Sequence, residues 1–206
     1  MLGGSAMSSA MVEAGRAGAG PAVISPVKLA HIVLRTSRFE EMVAWYKAAL
    51  GAHAVFENEL LAFLTYDREH HRVALLRVPN LAEQGEGTAG VHHIAFTYAT
   101  LSDLLSTYER LKGVGIKPVF VINHGPTTSL YYADPDHNQL ELQVENFDTI
   151  EESTAFFYSA EFAENPIGVE FDADELLRRL RAGEPERELK KRSRVGARGL
   201  SDIKLR

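Results

Sequence analysis

The chain has 206 residues, 45% of them hydrophobic, no cysteine and a formal net charge of −6. That is enough apolar material for one core of catalytic size, and the missing cysteines exclude disulfides, thiolate catalysis and cysteine-ligated metals. No apolar run approaches the roughly 20 residues that span a bilayer, the acidic balance argues against nucleic acid as a partner, and a cysteine-free chain fits a reducing cytoplasm.

Residues 1–26 mix Ala, Gly, Ser and Met around a single basic residue, Arg16. They have neither the apolar core of a secretory signal nor the Arg-rich character of a transit peptide, and are expected to form a disordered leader. From Lys28 the pattern becomes regular. Residues 30–36 are β-rich, and a helix follows with Thr36 or Ser37 as N-cap. Its Phe39, Met42, Val43, Tyr46 and Leu50 fall at i, i+3, i+4, i+7 and i+11, one apolar face, and Gly51 ends it. Three strands are expected around 54–56, 61–66 and 71–78, then a polar, Gly-containing link over 79–90.

The order then repeats. Residues 91–98 predict a strand, and Leu101, Leu104, Leu105, Tyr108 and Leu111 share one face of a helix stopped at Gly113 and Gly115. Strands follow at 118–122, 128–132 and 139–144. Between the last two, Asp134-Pro135-Asp136-His137-Asn138 is a tight turn, with Pro135 fixing φ and Asp136 and Asn138 bonding back to the backbone. In the returning strand Leu140, Leu142 and Val144 face one way and Glu141, Gln143 and Glu145 the other. That polar face is either the wet side of a sheet or the lining of a site. Beyond Asn146 an amphipathic helix is expected over 153–162, broken at Asn165-Pro166, and a charged helix over 172–182. Half of the Lys and Arg residues follow Leu177, and the Lys190-Lys191-Arg192-Ser193-Arg194 run reads as a solvated, mobile end.

Two consecutive strand–helix–three-strand units therefore fill residues 28–80 and 90–146. The expected fold is α+β: a domain over 27–146 of two tandem βαβββ modules forming a curved mixed sheet, and a helical extension with a basic tail over 147–206. The units start alike, Ala30-His31-Ile32-Val33 against His92-His93-Ile94-Ala95. Histidines at matched positions of two repeats are brought together by the pseudo-symmetry of the repeat.

Duplicated units of this kind are the architecture of the vicinal oxygen chelate superfamily. The residues resemble its type I extradiol dioxygenases, in a short form with one pair of modules, over residues 28 to about 146. The resemblance implies a metal site inside the sheet, with His31, His93 and Glu141 as ligands. Two imidazoles and one carboxylate are the facial set that leaves Fe(II) open positions for a chelating substrate and dioxygen, and Mn(II) accepts the same donors. Strand alternation turns His92 away from His93, and the family spacing from the turn selects Glu141 over Glu145. In Glu69-His70-His71-Arg72 the second histidine matches the acid/base position, and an imidazole suits it because its ordinary pKa lies near 6.5. His124 and Tyr131 resemble residues that position the catechol oxygens, although His124 departs from the spacing of the larger two-domain enzymes. His137 stands where the family usually has Gly.

The activity so implied is extradiol (meta) ring cleavage of a catechol such as 2,3-dihydroxybiphenyl by dioxygen, with Phe63, Tyr66, Phe120 and Tyr131 as apolar walls and Trp45 in the core. Other metal-dependent enzymes of the superfamily, glyoxalase- or isomerase-like, draw a carboxylate from the last strand of the first module, where residues 71–78 have none. A non-catalytic small-molecule binder has no need of the two histidines and the glutamate. The apolar surface expected over 147–182 suits a homo-oligomer.

Overall fold

The computed structural model describes residues 24–82, 85, 88–199 and 202. The expected leader lies outside the described residues as far as residue 23. The first module runs β1 (Ile32–Thr36), α1 (Phe39–Leu50), β2 (His53–Glu57), β3 (Leu61–Thr65) and β4 (Val73–Arg77). The second repeats it as β5 (His93–Tyr98), α2 (Leu101–Gly113), β6 (Phe120–Asn123), β7 (Thr127–Ala133) and β8 (Gln139–Glu145). The strand orders correspond, β1-β4-β3-β2 and β5-β8-β7-β6, and the latter gains β9 (Val169–Glu170) beside β6. In each sheet the first and last strands of the module pair in parallel and the other pairs are antiparallel.

The α+β class with mixed sheets is as expected. The single curved sheet is not: β1 and β5 each stand at a sheet edge and pair only with β4 and β8, so the modules contribute two sheets.

Helix α1 lays Phe39, Met42, Val43 and Tyr46 over Ala62, Leu64, Val73 and Leu75 of its own sheet, and also over Leu140 of the second module. Fully burying side chains of this size stabilises by roughly 1.5–3 kcal/mol each. Its N-cap is Arg38 rather than Thr36 or Ser37. The Thr36 hydroxyl accepts from the Arg38 amide at 2.8 Å, and the Ser37 hydroxyl is engaged with the Val78 carbonyl. Helix α2 covers the other sheet with Leu101, Leu104, Leu105 and Leu111, against Leu130, Leu142 and Val144. Trp45 packs between the two cores.

The extension comprises α3 (Ile150–Phe156), α4 (Ala160–Glu164), α5 (Ala173–Arg181) and α6 (Glu186–Leu189). The one helix expected over 153–162 is two, because two caps compete with continuity. Thr149 and Glu152 form a reciprocal capping box, and the Ser159 hydroxyl accepts from the Phe162 amide to start a new helix. The basic run is solvated only in part: Lys191, Ser193 and Arg194 are exposed, whereas the Arg192 side chain is 4% exposed and paired with Glu161 at 3.1 Å. Among the described residues no helix is long and apolar enough to cross a membrane.

Candidate metal centre

The turn into β8 sets the site. Its organiser is Asp134, not Asp136 or Asn138: one carboxylate oxygen accepts the Asp136 and Asn138 amides at 2.9 and 2.8 Å. The other accepts the Asn138 side-chain amide at 2.8 Å and the Tyr46 hydroxyl of α1 at 3.0 Å. His137 takes a left-handed φ of 67°, which accounts for glycine being the usual residue there.

With β8 so fixed, Glu141 lies opposite Tyr131 of β7 and beside Ala95 of β5. Its buried carboxylate meets His93 Nε2 at 3.0 Å. Two donors on adjacent corners around one ion, each about 2.1 Å from it, are about 3.0 Å apart. An imidazole nitrogen and a carboxylate oxygen at that separation therefore fit a shared divalent ion. Among the described residues no group of three or more His, Cys, Asp or Glu is close enough to hold one, so the pair has no third donor beside it.

His92 is exposed and precedes β5, so strand alternation does not govern it. Its Nδ1 lies 2.8 Å from His93 Nδ1. A partner at that nitrogen is of the kind that fixes the tautomer of a histidine whose other nitrogen is to meet a metal. The adjacency of the two histidines was the available signal for that role.

Tyr131 carries the set inward. Its hydroxyl lies 3.0 Å from His124 Nε2 and within hydrogen-bonding reach of Glu141. Burial, and then the Glu141 carboxylate, push its ionisation well above the ordinary phenol range, so it keeps its proton. His124 Nδ1 is 2.6 Å from the Ile167 carbonyl, which only accepts, so Nδ1 carries hydrogen. Burial holds the His124 pKa below its ordinary value, so Nε2 is left as an acceptor. One phenolic proton thus faces two acceptors. An ion that occupies Glu141 leaves the hydroxyl to His124.

The first module presents a different group. His71 precedes β4, and its ring stacks on Phe63 of β3 at 4.6 Å. His31 is exposed, precedes β1, and lies 4.2 Å from the His71 ring by centroids. His70 Nδ1 is 2.6 Å from His71 Nδ1. Desolvation, reinforced by His31 and His70, lowers the His71 pKa and favours the neutral ring, the form in which an imidazole can accept a proton. The structure thus joins His93, Glu141, Tyr131 and His124 in one set, and His31 with His71 in another. Of the expected walls, Phe120 lies 5.9 Å from the Tyr131 ring and Phe63 lies on His71, while Tyr66 turns instead to Phe96.

Residues 28–142 match the Glyoxalase/Bleomycin resistance protein/Dioxygenase superfamily. The chain belongs to that superfamily. Two of its curated relatives are from Rhodococcus globerulus. Biphenyl-2,3-diol 1,2-dioxygenase 2 is 53% identical over 77% of this chain and 84% of its own length. Biphenyl-2,3-diol 1,2-dioxygenase 3 is 47% identical over 81% and 88%. Among solved structures of the superfamily, a glyoxylase/bleomycin resistance protein/dioxygenase domain from Frankia sp. EAN1pec covers 59% of this chain and 99% of its own, at 18% identity and a TM-score of 0.49.

Proposed function

We propose that the chain is an extradiol dioxygenase that opens a catechol ring beside its two hydroxyl-bearing carbons, using dioxygen at a mononuclear Fe(II) site. The two dioxygenases above, similar over more than three quarters of this chain, support the reaction class. The observation that carries the site is the His93 Nε2–Glu141 Oε2 separation of 3.0 Å. In this reading His93, Glu141 and His31 hold the metal, with His31 leaving its contact with His71 to join the pair. A divalent iron bound by two neutral imidazoles and one carboxylate supplies positions for the catechol oxygens and dioxygen, and Mn(II) is the alternative ion.

The chain's own residues supply the rest. His71, kept neutral by desolvation and by its two histidine neighbours, accepts a catechol proton and later returns it. Tyr131, whose one proton goes to His124 Nε2, turns its hydroxyl oxygen to the catechol as an acceptor, and His124 fixes that hydroxyl. Phe63 and Phe120 exclude water around an apolar ring, which ranks 2,3-dihydroxybiphenyl above acidic catechols. The exposed Ile150, Phe157 and Tyr158 of the extension suit a homo-oligomer, and the reducing cytoplasm is the proposed compartment.

The test is anaerobic reconstitution with Fe(II) or Mn(II), then a panel of 2,3-dihydroxybiphenyl, a methylcatechol and protocatechuate. A yellow ring-fission product carrying two added oxygen atoms is expected from the apolar catechols. A cis,cis-muconate, or no oxygen uptake by a fully metal-loaded protein, would overturn the proposal.

A further inference from the structure

The C-terminal segment, far from the metal pair in sequence, reaches the wall that carries His124. Arg192 Nη1 donates to the His124 carbonyl at 3.1 Å and to the Asn165 carbonyl at 2.8 Å. Nη2 donates to the Glu161 carbonyl and Nε to the Glu161 carboxylate, each at 3.1 Å. The guanidinium lies 5.0 Å over the Phe156 ring. A buried cation with four of its five N–H donors used is a built contact, since a guanidinium without partners would be strongly disfavoured there.

The two carbonyls on Nη1 belong to segments joined by the His124 ring itself. Asn165 Oδ1 accepts the Ile167 and Gly168 amides at 3.1 and 2.8 Å, which shapes the turn that aims the Ile167 carbonyl at His124 Nδ1. There is no slack between the surfaces. A Cβ on Gly168 would lie 2.4 Å from the Asn123 carbonyl oxygen and 2.9 Å from the His124 Cα. On the other side, a Cβ on Gly125 would lie 2.4 Å from the Phe156 ring. Lys190 adds a second tie, its carbonyl accepting from the Asn123 side chain at 2.8 Å.

We propose that Arg192 is a positioning residue for His124: it clamps the 165–168 turn to the β6–β7 turn, so the imidazole keeps Nδ1 on Ile167 and Nε2 on Tyr131. This rests on the role given to His124 above. Without the clamp the Ile167 carbonyl loses its fixed place and the ring is free to turn. No hydrogen bond joins Arg192 to His93 or Glu141, so metal binding should survive.

The test uses the full-length, metal-loaded protein and two readouts. The first is the rate at which diethyl pyrocarbonate modifies His124, followed by peptide mass spectrometry, with exposed His53 as internal reference. Arg192→Gln should raise the His124 rate and leave that of His53 unchanged. The second is kinetic: kcat should fall on the order of 10²-fold, the cost of a small misplacement, with KM and bound metal unchanged. In a His124→Asn background, Arg192→Gln should have no further effect on kcat. An unchanged His124 modification rate, or additive kcat losses, overturns the proposal. If the wild type cleaves no catechol, the catalytic reading fails while the modification rate still decides the positioning. Should Arg192→Gln fail to fold, Arg192→Lys keeps the charge beside Glu161 but has at most three N–H donors on one nitrogen, against the four that the guanidinium uses from three. It should show an intermediate rise in His124 modification, and a rate equal to the wild type's would overturn the proposal.

Discussion

Each module turns into its last strand on an aspartate that holds its own turn. Asp67 accepts the Glu69 amide at 2.9 Å and Asp134 accepts the Asp136 amide at 2.9 Å. From there they diverge. Asp67 stays in solvent, and the hydrogen bond from Arg72 holds its carboxyl below the usual range. Asp134 is 2% exposed, and burial pushes its pKa up against the pull of its donors. The same turn chemistry thus has two outcomes. In the second module the turn is sealed by Tyr46 from α1 of the first, and β8 delivers Glu141 to His93 as a preformed pair. In the first module the turn is open, and His71 and His31 are left in an exposed ring group. In the site proposed above the buried half is prearranged, and the half in solvent is left to be completed by what binds.

The largest effect should come from breaking the prearranged half. Glu141→Ala removes the carboxylate, and bound metal and turnover should both fall to background while circular dichroism is unchanged. A variant that keeps its metal would place the ligand elsewhere. In the open half His71→Ala should keep the metal and lose turnover on the order of 10²–10⁴-fold, the usual contribution of a positioned acid–base group. Loss of metal in that variant would merge the two halves and refute their division of labour.

The seal itself is tested by Tyr46→Phe, which removes the hydroxyl from the buried Asp134. A hydrogen bond to a charged group contributes roughly 1.5–3 kcal/mol, so urea unfolding should show a loss of that order. A smaller shift would mean that Asp134 does not depend on α1. The pH profiles of the two aspartates should have opposite slopes. The lowered pKa of Asp67 adds stability that is present above its unfolded value and disappears as pH falls through the folded one. The raised pKa of Asp134 adds stability that is present below its unfolded value and disappears as pH rises through the folded one. On acidification from neutrality, the stability difference between wild type and Asp67→Asn should shrink, and that between wild type and Asp134→Asn should grow. Parallel profiles would contradict the comparison.

Much of this was legible in the sequence because periodicity reports on burial of a whole face. The apolar positions of α1 and the alternation in β8 gave both elements to within a residue or two, and the echo of Ala30-His31-Ile32 in His92-His93-Ile94 gave the repeat. Features that depend on a single distant partner were not legible. The two-residue β9 exists because β6 is there to pair with it. The break between α3 and α4 is one serine hydroxyl in an otherwise helical run. Arg192 looks like any tail cation until Asn165 and His124, 27 and 68 residues away, are brought to it. Asp67 and Asp134 both read as turn aspartates in the sequence, and the Tyr46 hydroxyl of α1, 88 residues from Asp134, is what seals one of them. At the site, His93, Glu141 and Tyr131 were named by the family resemblance, and strand pairing brings Glu141 beside Tyr131. How His31 stands to it depends on how two sheets lean on each other, for which no residue pattern is a signal.

The smallest effect concerns His137, where the second module's turn carries strain that the first module's strands do not. Its amide donates to the Asp134 carbonyl at 2.9 Å while the Asp134 amide donates to the Asn138 carbonyl at 3.0 Å, and together these hold φ at 67°. A Cβ in the left-handed region costs roughly 1–2 kcal/mol. The exposed imidazole makes no hydrogen bond that would offset it among the described residues. Glycine removes the strain but adds freedom to the unfolded chain, worth roughly 0.5–1 kcal/mol in the opposite direction. His137→Gly should therefore raise the urea midpoint slightly at unchanged m, by the equivalent of about 1 kcal/mol or less. His53 on β2 is also exposed, but its backbone is an ordinary strand, so His53→Gly has only the entropic penalty and should lower the midpoint. Two exposed histidines giving shifts of opposite sign would show that the turn chemistry, not the side chain, sets the difference. A drop in both would mean that the β7–β8 turn stores no strain.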